Sequence, residues 1–243
     1  MFFELHAGLP REGPGDDAST ERALRMLLKL PARSRILDVG CGPGAQTLVL
    51  ARGTGGTVTA VDLHQPFLDE LMQRARAAGL AENIHPMRAS MDALTFVPDS
   101  FDLVWSEGAI YIMGFERGLR AWQPFVRRGG YVVVSELSWL VDDPPAPART
   151  FWEEAYPAMR PVAENLHTVE RCGYERLAKF VLPKSAWLND YYAPLARRMD
   201  ALERDHAIDP AALEFLADQR REIDLFHVHG DTYGYVFYLM RRP

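Results

Sequence analysis

The chain has 243 residues, of which 48% are hydrophobic and 25% charged, enough apolar material for one large globular domain with a full core. The net charge of −6 argues against a nucleic-acid substrate, because phosphate binding needs clustered Lys and Arg. The two cysteines, Cys41 and Cys172, fit neither a disulfide framework nor a zinc site, so we expect no metal and a reduced, cytoplasmic location. We also expect no membrane partner, since no signal peptide and no run of about 18 apolar residues is present.

Hydrophobic periodicity and the positions of glycine and proline predict a regular alternation of strands and helices. The predicted helices lie, in chain order, at about 16–30, 45–52, 66–78, 115–126, 147–157, 161–172 and 184–229, the last in two pieces divided near Asp209-Pro210. The predicted strands lie at about 35–39, 57–61, 84–88, 101–105, 131–137, 176–182 and 233–240. This order favours an α/β fold with a doubly wound, mostly parallel sheet of about seven strands.

The first predicted strand ends in a glycine-rich run, Gly40-Cys41-Gly42-Pro43-Gly44, that leads into a helix. Glycine has no Cβ, so such a turn lets a ligand lie against bare backbone N–H groups at a helix N-terminus. The run also satisfies the dinucleotide fingerprint, and Asp62 ends the next strand, where a carboxylate holds ribose hydroxyls. These features suit NAD and an adenosyl cofactor equally, and a turn that only connects strand to helix is the remaining alternative.

Asp38 distinguishes the two cofactors, because it lies two residues before the first glycine. A carboxylate beside the turn repels a pyrophosphate and attracts a positively charged group. The sequence therefore predicts a cationic cofactor at this loop.

Two later segments complete the pattern. Residues 89–92 read Ala-Ser-Met-Asp after the third strand, and residues 101–109 read Phe-Asp-Leu-Val-Trp-Ser-Glu-Gly-Ala over the fourth strand and its exit. With them, residues 34–141 resemble the class I S-adenosylmethionine-dependent methyltransferases of the small-molecule ("type 11") kind. The runs Ser-Glu-Gly-Ala-Ile-Tyr at 106–111 and Tyr-Tyr-Ala-Pro at 191–194 resemble a bacterial subgroup and extend the likeness over nearly the whole chain. The resemblance implies a Rossmann-like sheet whose last strand is antiparallel.

At the methionine end of the cofactor, the resemblance implies that Asp38 anchors the amino group, directly or through water. Ser106 and Glu107 would flank the cofactor near its sulfonium. The glycines that would let the backbone approach the methionine moiety are Gly40, Gly42 and Gly44.

At the adenosine end, the resemblance implies that Asp62 holds both ribose hydroxyls and that Leu63 packs on the adenine. Ser90, Met91 and Asp92 would edge the adenine ring. Many family members have Gly-Asp-Ala where this chain has Ala-Ser-Met at 89–91. Whether Ser90 or Asp92 reaches the base therefore stays open at this point.

The function predicted from these features is transfer of a methyl group from S-adenosylmethionine to an O or N atom of a small-molecule acceptor, with S-adenosylhomocysteine as product. Such an in-line displacement needs positioning and at most one general base. The candidates at strand ends are Glu107 and Glu136, with Tyr111 as an aromatic substrate contact; each has a structural or solvated role as its alternative. The alternative functions are an NAD(P)-dependent oxidoreductase and a non-catalytic cofactor-binding protein.

The chain divides into three predicted regions. Residues 1–33 form an N-terminal segment and helix that pack on the core or lid, 34–141 form the cofactor-binding core, and 142–243 hold the remaining strands. Helical insertions at about 147–172 and 184–231 are predicted to cover the substrate pocket as a lid, which would exclude water. Contact between two copies in a homodimer is the competing use of these insertions.

Overall fold

The computed structural model describes residues 2–6, 8–205 and 210–243. Within them, the helices are α1 Phe2–His6, α2 Asp17–Arg25, α3 Ala45–Thr54, α4 Gln65–Ala77, α5 Phe115–Trp122, α6 Ala146–Ala155, α7 Val162–Arg171, α8 Lys184–Trp187, α9 Ala193–Asp205 and α10 Pro210–His229. The strands are β1 Arg35–Val39, β2 Thr57–Asp62, β3 Ile84–Arg88, β4 Phe101–Ser106, β5 Val126–Trp139, β6 Arg160–Pro161, β7 Glu175–Val181 and β8 Tyr233–Arg241.

The strands form one sheet in the order β3-β2-β1-β4-β5-β8-β7, with β6 paired to β5 beside this path. The pairs β1–β2, β1–β4, β2–β3 and β4–β5 are parallel, whereas β8 runs antiparallel to both β5 and β7. The predicted doubly wound sheet with an antiparallel last strand is therefore confirmed. The two-residue strand β6 is an addition that the hydrophobic pattern did not predict.

Helices cover both faces of the sheet, so its central strands are buried throughout. Along β1, Ile36 packs with the apolar side chains of α3 and α4, while Leu37 and Val39 pack with those of α5 and α7. Side chains along a strand point alternately to opposite faces, which is why adjacent residues enter different layers. The sheet's parallel carboxyl ends are thereby held in one rigid row, the edge at which ligands bind in such folds.

Helix α2 is shorter than predicted, because it ends at Arg25 instead of near Leu30. The amides of Met26 and Leu27 bond three residues back, to Ala23 and Leu24, in a tightened last turn. Pro31 has no N–H, and its ring would clash with the carbonyl of residue 27 in a continued helix. The apolar face expected from the sequence breaks accordingly, with Leu28 left 90% exposed.

Strand β5 is longer than the predicted 131–137, because it begins at Val126 and includes Gly129 and Gly130. Val126 pairs with Phe101 before a register shift, and residues 131–139 pair with β8 along their full length. Helix α5 correspondingly ends at Trp122, and a 3₁₀ turn over Gln123–Phe125 contains Pro124.

The long helical insertion between β7 and β8 consists of α8, a π-helical turn at Leu188–Tyr192, α9 and α10. The predicted break near Asp209 lies outside the described residues. The ring of Trp187 in α8 stacks on Phe226 of α10 at 4.4 Å and on Tyr235 of β8 at 5.3 Å between centroids. The insertion is thus anchored on the sheet. Among the described residues, none of the helices combines the length and apolar character that a bilayer span requires.

Candidate active site

The glycine-rich loop follows β1 and is folded back on β2. Gly40 and Cys41 donate their amides to the Val61 carbonyl at 2.9 and 3.0 Å. Gly40 has φ +72°, and a Cβ there would lie 2.4 Å from the Cβ of Ala109, beyond the end of β4. Only glycine fits both the backbone conformation and this close approach. The loop's backbone is therefore the surface that a ligand meets.

Asp62 ends β2 beside this loop, where two backbone amides fix its carboxylate. Oδ2 accepts from the Gly42 amide at 3.0 Å, and Oδ1 accepts from the His64 amide at 2.9 Å. Each oxygen keeps a second lone pair, because an ionised carboxylate has about four acceptor positions. Asp62 lines the main cavity, so those positions are available to a diol held against the loop.

The main cavity has a volume of about 580 Å³ and lies over the carboxyl ends of β1, β2 and β4. This volume is ordinary for a small-molecule or cofactor site. The sequence-predicted site residues that line it are Gly40, Gly42, Asp62, Leu63, Ser90, Met91, Glu107 and Tyr111. The predicted residues outside its lining are Asp38, Gly44, Asp92, Ser106 and Glu136.

Asp38 lies below the loop, not in the cavity wall. Its side chain is fully buried, accepting from Thr47 Oγ1 at 2.6 Å and from Gln46 Nε2 at 3.4 Å. Burial raises the pKa of Asp38 to about 7. Gln46 also donates to the Cys41 carbonyl at 3.2 Å and itself lines the cavity. Gln46 therefore stands between Asp38 and any cofactor, so a direct bond from Asp38 to an amino group is the less favoured of the two predicted arrangements.

The segment after β3 contains Ser90 and Asp92, the two residues predicted as alternatives for contact with the adenine. Ser90 lines the cavity and donates to Asp92 Oδ1 at 2.5 Å, while Asp92 is exposed and faces Arg117 at 3.8 Å. The Met91 carbonyl accepts from Trp122 Nε1 at 3.1 Å, which ties the segment to α5. Of the two residues, Ser90 lines the cavity and Asp92 does not.

Glu107 follows β4 and is largely satisfied by protein groups. Oε1 accepts from Thr20 Oγ1 at 2.7 Å and from Trp105 Nε1 at 2.8 Å, and Oε2 lies 3.6 Å from Arg11. Burial raises its pKa, and these donors oppose the rise. The contacts agree with the structural alternative, in which Glu107 ties the N-terminal segment to the sheet.

Arg11 and Glu12 are lining residues that the sequence analysis missed. Arg11 bonds Asp17 at 2.6 Å, and the Glu12 side chain packs over Gly42 with Oε2 buried and without a partner among the described residues. Burial, Glu70 and Asp62 raise the pKa of Glu12 to about 8, opposed by Arg74. The sequence analysis placed this segment only in general terms, as residues 1–33 packing on the core or lid. Contact between this N-terminal segment and strand ends far along the chain produces no pattern in the local sequence.

Tyr111 lines the side of the cavity toward the insertions, and Glu136 lies outside the lining close to it. Glu136 is 2% exposed, and its Oε1 accepts from Tyr156 Oη at 2.6 Å. The Tyr156 ring meets the Tyr111 ring edge to face at 5.8 Å between centroids. Tyr111 is part of the cavity wall, so the two predicted residues are joined through Tyr156.

No group of three or more candidate ligands for a metal ion occurs within the part of the chain that the structure describes.

Residues 36–130 match a sequence family described as a methyltransferase domain. A methyltransferase, GfsG, of Streptomyces halstedii is 31% identical over 145 residues, which cover 56% of this chain and 52% of that protein. The UbiE C-methyltransferase of ubiquinone and menaquinone biosynthesis in Vibrio vulnificus is 29% identical over 45% of this chain and 44% of its own length. The chain thus spans about half the length of the curated relatives it matches.

Solved structures show the same fold over the whole chain. A methyltransferase of Geobacter sulfurreducens, crystallised with S-adenosylhomocysteine, superposes with a TM-score of 0.85 at 20% identity and covers 100% of this chain and 97% of that chain. A second such enzyme, from Thiobacillus denitrificans, gives a TM-score of 0.82 at 21% identity over 100% and 98%.

Proposed function

We propose that this chain, which belongs to the class I S-adenosylmethionine-dependent methyltransferases, transfers a methyl group to an O or N atom of a small-molecule acceptor. The observation that carries the proposal is the cavity over β1, β2 and β4, in which the bare loop backbone and the fixed carboxylate of Asp62 face the same space. Asp62 would hold the ribose hydroxyls, and the loop would lie along the methionine moiety. The bound cofactor would supply an electrophilic methyl group on a positively charged sulfur.

The loop is poorly suited to the pyrophosphate of NAD. Within residues 40–44, Pro43 has no N–H, and the other amides donate to the carbonyls of Val61 and Cys41 or to Asp62. A phosphate site needs such amides to be free and pointing at the ligand. These contacts support a cationic cofactor over a dinucleotide, as does the carboxyl-rich surround.

The protein's contribution to catalysis is positioning and exclusion of water. Arg11 Nη1 lies 3.6 Å from Glu107 Oε2, and His6 Nε2 lies 3.1 Å from Tyr191 Oη. The N-terminal segment and the insertion therefore meet over the site. We propose that both act as a lid. Holding the acceptor in line with the methyl group lowers the barrier through orientation, and a dry site strengthens every charge interaction in it.

A labelling experiment tests this function. Protein incubated with methyl-labelled S-adenosylmethionine and separate pools of small metabolites, RNA and protein is expected to label only the metabolite pool, because the net charge of −6 opposes binding of a polyanion. Asp62→Ala, with the ribose contact removed, serves as the inactive control. Label appearing only in RNA or protein would contradict the small-molecule acceptor.

A further inference from the structure

A group of polar side chains meets beside the cavity, and it holds a buried oxygen that has no partner among the described residues. We call Tyr111, Glu136, Tyr156 and Tyr235 the Glu136 cluster. They come from the loop after β4, from β5, from the loop after α6 and from β8. Two of them adjoin the cavity: Tyr111 lines it, and Tyr235 stands behind Gly108, which has no side chain to separate them.

One buried acceptor of the cluster lacks a hydrogen-bond donor. Glu136 Oε2 is buried with no partner among the described residues, although Oε1 is bonded by Tyr156. The hydroxyls of Tyr111 and Tyr235 make no hydrogen bond to any described side chain or backbone group. A buried acceptor left unpaired costs about 1–3 kcal/mol, and more for a charged group. Such atoms are rare in native proteins, and a water, an ion or a ligand can supply the missing partner.

Apart from Arg160, the ionisable groups described around Glu136 are acidic. From the insertion, Glu222 of α10 and Tyr191 of the π-helical turn act on the same phenols as Glu136 does. Arg160 is the cation near this group, and it stands at Tyr156 with 56% of its side chain exposed. A carboxylate walled by phenols and a second carboxylate attracts a positive ligand and repels an anionic one.

An ammonium group fits these requirements better than a hydroxyl group. A primary ammonium ion carries three N–H donors and a secondary one carries two. Glu136 Oε2 and the oxygens of Tyr111 and Tyr235 can accept them, and the positive charge attracts the carboxylate. An alcohol offers one donor and no charge. The aromatic faces of the same tyrosines add cation–π attraction.

Resting on the proposed function, we propose that the acceptor is a primary or secondary amine, bound as its ammonium ion by Glu136 and the tyrosines around it. Glu136 takes one N–H proton, which leaves a lone pair on nitrogen. The N–C bond then forms as the C–S bond breaks, and the bonding electron pair of the C–S bond stays on sulfur. The methylated ammonium leaves, and the Glu136 proton returns to solvent.

Burial raises the pKa of Glu136 to about 8, opposed by its bond from Tyr156. At neutral pH without ligand the carboxyl is therefore mostly protonated, and an arriving ammonium ion displaces that proton into the buffer. The affinity for the amine should rise with pH up to about 8 and then level until the amine itself loses its charge.

Calorimetry on the protein saturated with S-adenosylhomocysteine tests the inference. The probes are a panel of alkyl and aryl-alkyl amines, each paired with the alcohol of the same carbon skeleton. At least one amine is expected to bind at least tenfold tighter than its alcohol, and titrations in buffers of different ionisation enthalpy should show proton release below pH 8. The same pairs are then compared as acceptors of labelled methyl groups.

Glu136→Gln keeps the shape of the side chain and is expected to weaken amine binding at least tenfold and to abolish the proton release. Tyr235→Phe, a milder change, is expected to weaken amine binding alone. Glu214→Gln, at an exposed position of α10, is the matched control and should change neither quantity. Unchanged affinity for S-adenosylhomocysteine in all three variants shows that they are folded.

Alcohols that bind or accept methyl groups as well as their amines would overturn the inference while leaving the proposed function intact. Binding of no amine by a protein that binds S-adenosylhomocysteine, or full amine affinity in Glu136→Gln, would also overturn it. Failure of the wild type to bind S-adenosylhomocysteine would instead overturn the proposed function.

Discussion

Replacing Asp62 with alanine is expected to weaken the binding of S-adenosylhomocysteine by about a hundredfold or more. Each hydrogen bond from a ribose hydroxyl to the carboxylate contributes roughly 1.5–3 kcal/mol, and the substitution removes two of them. It also removes the acceptor for the Gly42 amide, which is bonded at 3.0 Å, so the loop loses its support. The measurement is a calorimetric titration of wild type and variant under the same conditions.

Two further variants separate recognition from folding. Asp62→Asn keeps one carbonyl acceptor and is expected to fall between wild type and alanine. Asp69→Ala removes an exposed carboxylate of α4 that bonds only its neighbour Gln65 at 2.9 Å, so it should bind normally. The assigned role would be contradicted by an Asp62→Ala protein that unfolds cooperatively and whose affinity for S-adenosylhomocysteine is within threefold of the wild-type value.

The free energy of unfolding of the ligand-free protein is expected to fall by about 6 kcal/mol between pH 5 and pH 8 from Asp38 and Glu136 alone, since each pKa unit corresponds to about 1.4 kcal/mol. Burial raises the pKa of Asp38 from 3.8 to about 7 and that of Glu136 from 4.5 to about 8. The folded state therefore holds protons that the unfolded chain has released. Their stabilisation is fully present below about pH 4 and is lost as the pH rises through 7 and 8. Urea unfolding at several pH values measures it.

Asp38→Asn retains an oxygen that can accept from Thr47, as the carboxylate does at 2.6 Å, but it cannot ionise. Its stability curve should be flatter than that of wild type over this range. An exposed carboxylate provides the comparison, and Asp69→Asn should leave the slope unchanged. A wild-type stability that is constant or increases from pH 5 to pH 8 would show that these carboxyls are not buried as described.

The sequence predicted the features that depend on local pattern. The apolar run of β1, its glycines and the carboxylate that ends β2 each follow from residues adjacent in the chain, and the structure brings the loop and Asp62 to one cavity. The antiparallel last strand was predicted from family resemblance, and the pairing of β8 with β5 and β7 confirms it.

Features that depend on long-range packing were not predicted. Arg11 and Glu12 enter the site because Arg74 of α4 bonds the carbonyls of Leu9 and Pro10 at 2.9 Å and holds the N-terminal segment over the loop. A sequence pattern cannot show a contact across 64 residues.

The depth of Asp38 in the core was also unpredictable from pattern alone. It depends on which side of β1 faces α3, because Thr47 and Gln46 of α3 donate hydrogen bonds to the Asp38 carboxyl group. The sequence shows where Asp38 lies along the chain, but it could not show that Gln46 would lie between Asp38 and the cavity.

We propose that the layout of carboxyl groups gives the site its selectivity. Asp62 and Glu12 line the cavity, Asp38 lies beneath the loop, and Glu136 lies outside the lining, where Tyr156 bonds it. Low dielectric strengthens the attraction between an ionised carboxylate and a positive ligand, and a bound cation in turn favours the ionised form of the carboxyls whose pKa burial has raised. A positively charged sulfur between them is favoured, whereas a doubly charged pyrophosphate is not.

The central claim is that this cleft holds S-adenosylmethionine and not a dinucleotide. A paired calorimetric titration of the wild-type protein with S-adenosylhomocysteine and with NAD⁺ tests it most directly. We predict saturable one-to-one binding of S-adenosylhomocysteine and no heat of binding with NAD⁺. Saturable binding of NAD⁺ with none of S-adenosylhomocysteine would contradict the account.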